Sequence, residues 1–118
     1  MKIMVVDDSI TMRRIISNFL EDAGHTDIVH ASNGSDALDK IEGIELILTD
    51  WNMPGMDGLT FVKQVRQTPG SENTPIIMVT TEGTKDSVLE ALKAGVNDYI
   101  VKPFTKSTLL DKLKGVLK

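Results

Sequence analysis

The chain of 118 residues contains no cysteine and only two histidines. Disulfides and thiol catalysis are therefore excluded, and the commonest zinc ligands are missing. Basic residues are in the minority: 13 Lys and Arg stand against 17 Asp and Glu, a formal net charge of -4. That balance argues against general nucleic-acid binding, which depends on a basic surface neutralising phosphates. No apolar run approaches the roughly 20 residues that cross a bilayer. Met1 and Lys2 lead straight into a short apolar run and two aspartates rather than a signal peptide. Membrane insertion is not expected, and a cytoplasmic location is. The glycine-rich cradles G-x-x-x-x-G-K-[ST] and G-x-G-x-x-G after a strand are both lacking, which disfavours a whole bound nucleotide. Aromatic residues make up 4% of the chain, with Trp51 the only tryptophan.

What is present has the composition of one globular domain, 41% hydrophobic and 25% charged. Short β-branched runs alternate with segments of helical period. Strands are expected at 2–6, 27–31, 45–49, 75–79 and 98–101. Most are continuously apolar at their centres, the pattern of parallel strands covered on both faces. The clearest helix carries Met12, Ile15, Ile16, Phe19, Leu20 and Ala23 in one apolar stripe, with Gly24 placed to stop it. Weaker stripes follow at Ala37, Leu38 and Ile41, at Leu59, Val62 and Val65, and at Val88, Leu89 and Leu92. Leu109, Leu110, Leu113, Val116 and Leu117 make the last helix. Five βα units imply a doubly wound α/β fold, a parallel sheet with right-handed crossovers and helices on both faces.

Ligand sites in such sheets lie beyond the carboxyl ends of the strands, where the strand order reverses. There the first strand ends in Asp7 and Asp8, the third in Asp50, the fourth in Thr80 and Thr81, and the fifth in Lys102 and Pro103. Each has a plainer reading taken singly. Asp8 reads as a helix N-cap, Asp57 as a cap or turn residue, Lys102 as a solvated lysine, Thr80 as the end of a strand, and Met53 and Met56 as loop packing. His25 and His30 are not read as catalytic. The conjunction changes the reading, because three carboxylates repel one another unless a positive charge lies among them. Mg²⁺ would supply it, since it takes oxygen ligands from one or two carboxylates, a backbone carbonyl and a phosphate. Lys102 and Thr80 suit phosphoryl oxygens, and aspartate is a competent phosphoryl acceptor. The same crowding predicts that Asp7→Asn or Asp8→Asn stabilises the metal-free protein.

VVDDS at Val5 to Ser9, DWNMPGMDG at Asp50 to Gly58, MVTTE at Met78 to Glu82 and YIVKPF at Tyr99 to Phe104 resemble the receiver domain of bacterial two-component response regulators. TMRRI at Thr11 to Ile15, with the DWNMP string, narrows the resemblance to single-domain chemotaxis regulators. The resemblance spans the whole chain and implies a flavodoxin-like (βα)5 sheet of order 2-1-3-4-5, as a single receiver domain without an output domain. It implies that Asp50 accepts a phosphoryl group from a histidine kinase of the chemotaxis system, with Asp7, Asp8, Asp50 and the Asn52 carbonyl holding Mg²⁺. By the same resemblance Lys102 contacts the phosphoryl group, its bond to Pro103 is cis, and Thr80 and Tyr99 are the switch residues. The protein would be no conventional enzyme, catalysing only its own phosphotransfer and slow dephosphorylation.

The implied output face comprises Lys85, Val88, Tyr99, Val101, Phe104 and Lys112, and its implied partner is a flagellar motor switch protein. A monomer is expected, with a phosphatase as a further partner to test. Ser9 and Thr81 depart from residues frequent in chemotaxis members, and Asn52 and Glu82 flank the site where water would attack. Two other readings use the same residues: a phosphate carrier or a receiver cut from a longer regulator, and a flavodoxin-like cofactor binder. Three acids on the rim oppose a flavin phosphate in the last of these.

Overall fold

A computed structural model describes residues 1–117. Five strands, β1 (Ile3–Val6), β2 (Ile28–Ala31), β3 (Leu46–Thr49), β4 (Ile76–Thr80) and β5 (Asp98–Val101), alternate with helices α1 (Ile10–Asp22), α2 (Gly34–Asp39), α3 (Gly58–Arg66), α4 (Lys85–Ala94) and α5 (Lys106–Val116). The sheet is parallel throughout, in the order β2-β1-β3-β4-β5. The expected strands lie within a residue of those observed, and Thr80 proves to be the last residue of β4 rather than the first beyond it.

Two-residue periodicity divides the core between the faces of the sheet. Met4, Val6, Ile47, Ile76 and Met78 pack with Ala37, Phe61, Val62, Val65 and Ala91, so α2, α3 and α4 cover one face. Ile3, Val5, Leu46, Leu48, Ile77, Val79 and Ile100 pack with Ile16, Leu20, Leu109 and Leu113, so α1 and α5 cover the other. Burial on both sides accounts for the unbroken apolar runs of β1 and β3. Each helix opens on a side-chain oxygen that accepts from a backbone N–H of the first turn: Ser9, Asn33, Asp57, Thr84 and Thr105.

Two apolar stripes are out of phase with the expectation. On α4 the buried line is Ala91 with half-buried Val88 and Ala94, while Leu89 and Leu92 are 44% and 43% exposed. Of the expected stripe only Val88 lies on the buried line, and small side chains at 91 and 94 let the helix approach the sheet there. On α1, Ile15 and Ala23 face outward and Ser17 is buried, its hydroxyl 3.0 Å from His30 Nε2 on β2. A hydroxyl with a partner costs little to bury, so apolarity alone misplaced the stripe.

At the amino-terminal end of the sheet, Arg66 joins the connections on either side of β4. Its guanidinium donates to the carbonyls of Thr74 at 2.7 Å and Gly95 at 2.7 Å, and to Asn97 Oδ1 at 2.9 Å. Asn97 Oδ1 also accepts from the first N–H of β4 at 2.9 Å. Gly95 ends α4 with φ +117°, and a Cβ there would lie 2.9 Å from Arg66 Nε, so both backbone and space demand glycine. Because the bonds are charge-assisted, Arg66→Met is expected to lower stability by about 2 kcal/mol. Urea denaturation checks this, and an unshifted midpoint would show that the loops hold themselves without the guanidinium.

Candidate functional site

Register brings the acids together. Val6 of β1 pairs with Thr49 of β3, so Asp7 and Asp50 leave adjacent strands side by side at the point where the strand order reverses. Asp7 is 1% and Asp50 8% exposed. One oxygen of each is held locally: Asp7 Oδ1 accepts from the Ser9 N–H at 2.9 Å, and Asp50 Oδ1 from the Trp51 N–H at 2.7 Å. The other oxygens face Lys102, whose Nζ lies 2.9 Å from Asp7 Oδ2 and 3.2 Å from Asp50 Oδ2. Lys102 arrives from β5 through a cis bond to Pro103, and its own N–H donates to the Thr80 carbonyl at 2.8 Å.

Burial alone would lower the pKa of Lys102, but its hydrogen bond to Asp7 and the nearby charge of Asp50 outweigh that effect and raise it. Asp8 is exposed and makes no ion pair among the described residues. The N-cap of α1 is Ser9, so the capping role considered for Asp8 is not taken up. One carboxylate oxygen from each of Asp7, Asp8 and Asp50 lies within 4.8 Å of the others. Three acids against one ammonium leave net negative charge, and an all-oxygen donor set fits a hard divalent cation such as Mg²⁺. Arg13 of α1, absent from the sequence reading, donates to the Asp7 carbonyl and supports the same corner.

Next to the acids, Glu82 uses three of its groups. Its backbone N–H donates to Thr80 Oγ at 3.3 Å, its carbonyl accepts from the Tyr99 hydroxyl, and its carboxylate accepts from Asn52 Nδ2 at 3.1 Å. Thr80 is fully buried, and Tyr99 is turned inward with 8% exposure. Burial, then the charges of Glu82 and Asp50, push the Tyr99 phenol up to about 12.

Residues 3–114 match the family model of the response regulator receiver domain. A chemotaxis protein CheY homolog of Campylobacter jejuni is 57% identical, over 99% of this chain and 92% of its own. Among solved structures, the chemotaxis protein CheY4 of Vibrio cholerae superimposes with a TM-score of 0.91 at 40% identity, covering 98% of this chain and 97% of its own. The chain belongs to the response regulator receiver domain family. A more distant member, the receiver domain of a sensor histidine kinase from Pseudomonas aeruginosa, has a magnesium ion coordinated in its active site cleft. It aligns at TM-score 0.89 with 26% identity, over 98% of this chain and 96% of its own.

In this receiver domain the other expected residues stand apart from the acids. Lys85 and Val88 lie on α4, Val101 on the edge strand β5, and Lys112 on α5, where its Nζ is 3.0 Å from Asp98 Oδ1. Phe104 is half-buried, its ring edge-on to Phe19 at 6.2 Å. Leu89 and Leu92, also on α4, are exposed. Asp57 caps α3, Met53 is buried, and Met56 packs beside the same core, in keeping with their plainer readings. Among the described residues, no helix is long and apolar enough to cross a membrane.

The paired acids correct one expectation. Asp7 is bound to Lys102 and to the Ser9 N–H, so Asp7→Asn is expected to destabilise the metal-free protein by leaving the largely buried ammonium with Asp50 as its one remaining carboxylate partner. Asp8→Asn is still expected to raise the urea midpoint in EDTA, by less than about 1 kcal/mol because solvent screens the exposed carboxylate. A lowered midpoint would contradict it.

Alkaline pH is expected to destabilise the fold. Tyr99 and Lys102 both hold their protons more tightly folded than unfolded, so their contribution is complete below about pH 10; the share of Tyr99 is lost as pH rises toward about 12, and that of Lys102 is lost in the same direction. Tyrosinate absorbance follows Tyr99 alone, since it is the only tyrosine. Tyr99→Phe should flatten the fall in urea midpoint, and an unchanged slope would remove the tyrosine from the account.

Proposed function

We propose that this protein is a phosphorylation-activated response regulator of bacterial chemotaxis, with Asp50 as the residue that takes the phosphoryl group from a histidine kinase. The observation carrying the proposal is the single ammonium of Lys102 shared between Asp7 and Asp50, with the carboxylate of Asp8 open beside them. In the transfer, a carboxylate oxygen of Asp50 attacks phosphorus and the bond to the donor histidine nitrogen breaks, its electron pair returning to the imidazole. Mg²⁺, held by Asp7, Asp8, Asp50 and the Asn52 carbonyl, would neutralise charge on the phosphoryl oxygens.

Asp50 Oδ1 is engaged by the Trp51 N–H, which fixes the carboxylate plane and leaves Oδ2 on the Lys102 side. Lys102 then follows the new negative charge, acting as a compact point charge. The Thr80 hydroxyl, which accepts from the Glu82 N–H in the unmodified protein, turns to donate to the acyl phosphate. That turn releases the Glu82 backbone, whose carbonyl holds Tyr99, and so alters the surface around α4 and β5. Lys85, Val88, Tyr99, Val101, Phe104 and Lys112 are the residues proposed to meet a flagellar motor switch protein. The Asn52 to Glu82 hydrogen bond restricts the approach of water, which suits a slow autodephosphorylation rather than a hydrolase. A receiver domain acting as a cytoplasmic monomer, open to a phosphatase, completes the proposal.

Acetyl phosphate with Mg²⁺ tests it. One phosphoryl group should add to the wild type, localise to the peptide containing Asp50, and be lost in Asp50→Asn, as read by mass spectrometry. Trp51 is half-buried next to the acceptor, so its emission should respond to Mg²⁺ and then, only with the metal present, to acetyl phosphate. Modification of another residue at the same rate in Asp50→Asn would overturn the assignment, as would an equal emission change in EDTA.

A further inference from the structure

Gly58, the first residue of α3, lies against the backbone of Asp50. A Cβ on it would stand 2.0 Å from the Asp50 carbonyl oxygen, 2.7 Å from Trp51 Cα and 2.9 Å from the Asp50 carbonyl carbon. All three are backbone atoms, so no side chain can rotate away to make room. Gly58 is not among the glycines of positive φ, so its conformation is open to any residue, and what excludes a side chain is space. The approach is held from both directions. The Gly58 N–H donates to the Trp51 carbonyl at 2.7 Å, and the buried Thr49 hydroxyl donates to the Asp50 carbonyl at 2.9 Å. Behind Gly58, the helix is fixed by Phe61, Val62 and Val65, each with no exposed surface.

We infer that Gly58 is a positioning residue for the phosphoryl acceptor: the bare Cα lets α3 rest on the Asp50–Trp51 peptide and thereby sets where the Asp50 carboxylate and the Asn52 carbonyl sit. The inference rests on the reading of Asp50 as acceptor. Bringing a methyl group to an ordinary contact of 3.4 Å from its present 2.0 Å requires a movement of 1.4 Å. With α3 anchored in the core, that movement falls on residues 50 to 52. It breaks the Thr49 bond and withdraws Asp50 from Lys102, although every chemical group of the site is retained. Misplacement by about 1 Å is enough to cost on the order of 100-fold in rate.

The test uses Gly58→Ala in a Gly115→Ala background. Gly115 lies within α5, has no atom beyond its own stretch of helix within 4 Å of its Cβ position among the described residues and carries no positive φ, so alanine there favours the helix without touching the site. Trimethylamine N-oxide is added to hold the fold, and circular dichroism verifies it. At saturating acetyl phosphate and Mg²⁺, the folded double variant should be phosphorylated about 100-fold more slowly than Gly115→Ala alone. Mg²⁺ titrated by Trp51 emission should bind it more weakly. Arg66→Met, which loses stability at the opposite end of the sheet without crowding Asp50, should keep the Gly115→Ala rate once folded. A folded double variant that matches Gly115→Ala in both rate and Mg²⁺ affinity would overturn the inference. So would one that stays unfolded, since the displacement is confined to residues 50 to 52. If the wild type takes no phosphoryl group, the acceptor reading fails instead. The positioning of Asp50 is then decided by the Mg²⁺ titration, weaker binding in Gly58→Ala supporting it and equal binding overturning it.

Discussion

The ammonium of Lys102 is the charge on which the carboxyl end of the sheet depends. It stands within 3.2 Å of two carboxylates that the sheet has almost removed from water. Buried acids on neighbouring strands would repel each other and lose hydration together; one cation between them offsets both costs, provided its geometry is held. The holding comes from elsewhere in the chain: β5 carries the lysine, its backbone bonded to Thr80 of β4, while the Ser9 and Trp51 N–H groups fix the far oxygens of the acids. A cluster so arranged is compact but short of positive charge, because Asp8 makes no ion pair among the described residues. That shortage, with an all-oxygen donor set, is the chemistry a hard divalent cation fits.

The two ends of the sheet are built on opposite principles. At the amino-terminal end Arg66 satisfies backbone carbonyls and Asn97, joining α3, the entrance to β4 and the exit from α4 with charge-assisted bonds. Those groups have little to gain from any other arrangement. At the carboxyl-terminal end like charges are crowded and the hydroxyl of Thr80 is occupied by one long bond of 3.3 Å. The rigid end allows the other to be electrostatically tense without loosening the whole domain, since functional sites commonly sit where local stability is given up.

Glu82 links the acids to the surface. Its carboxylate reaches Asn52 over the site, its N–H meets Thr80, and its carbonyl receives the Tyr99 hydroxyl from the edge strand. A rearrangement of one partner therefore alters the backbone that holds the others, within a single loop of few residues. Nearby, Leu89, Leu92 and Val101 leave apolar surface in solvent. Side chains of that size are exposed here because Ala91 and Ala94 carry the packing of α4.

By itself the sequence determined the class of fold and most of the acid site. Continuous apolar strands can only be covered on both faces, and strand ends carrying Asp7, Asp8, Asp50 and Lys102 were legible because strand boundaries are marked by an abrupt change of polarity. Helix phase was less legible. Val88, Leu89 and Leu92 read as a stripe by hydrophobicity, whereas burial followed Ala91, and Ser17 displaced Ile15 because its hydroxyl found His30. Tertiary structure alone decided which acid is paired and which is open, since Asp7 and Asp8 are chemically identical neighbours whose directions differ by one step along the chain. It also decided the contacts of Arg13, Glu82 and Gly58. Each acts through distances between segments remote in sequence or through a backbone approach of 2.0 Å, and no local pattern of residue types encodes a distance.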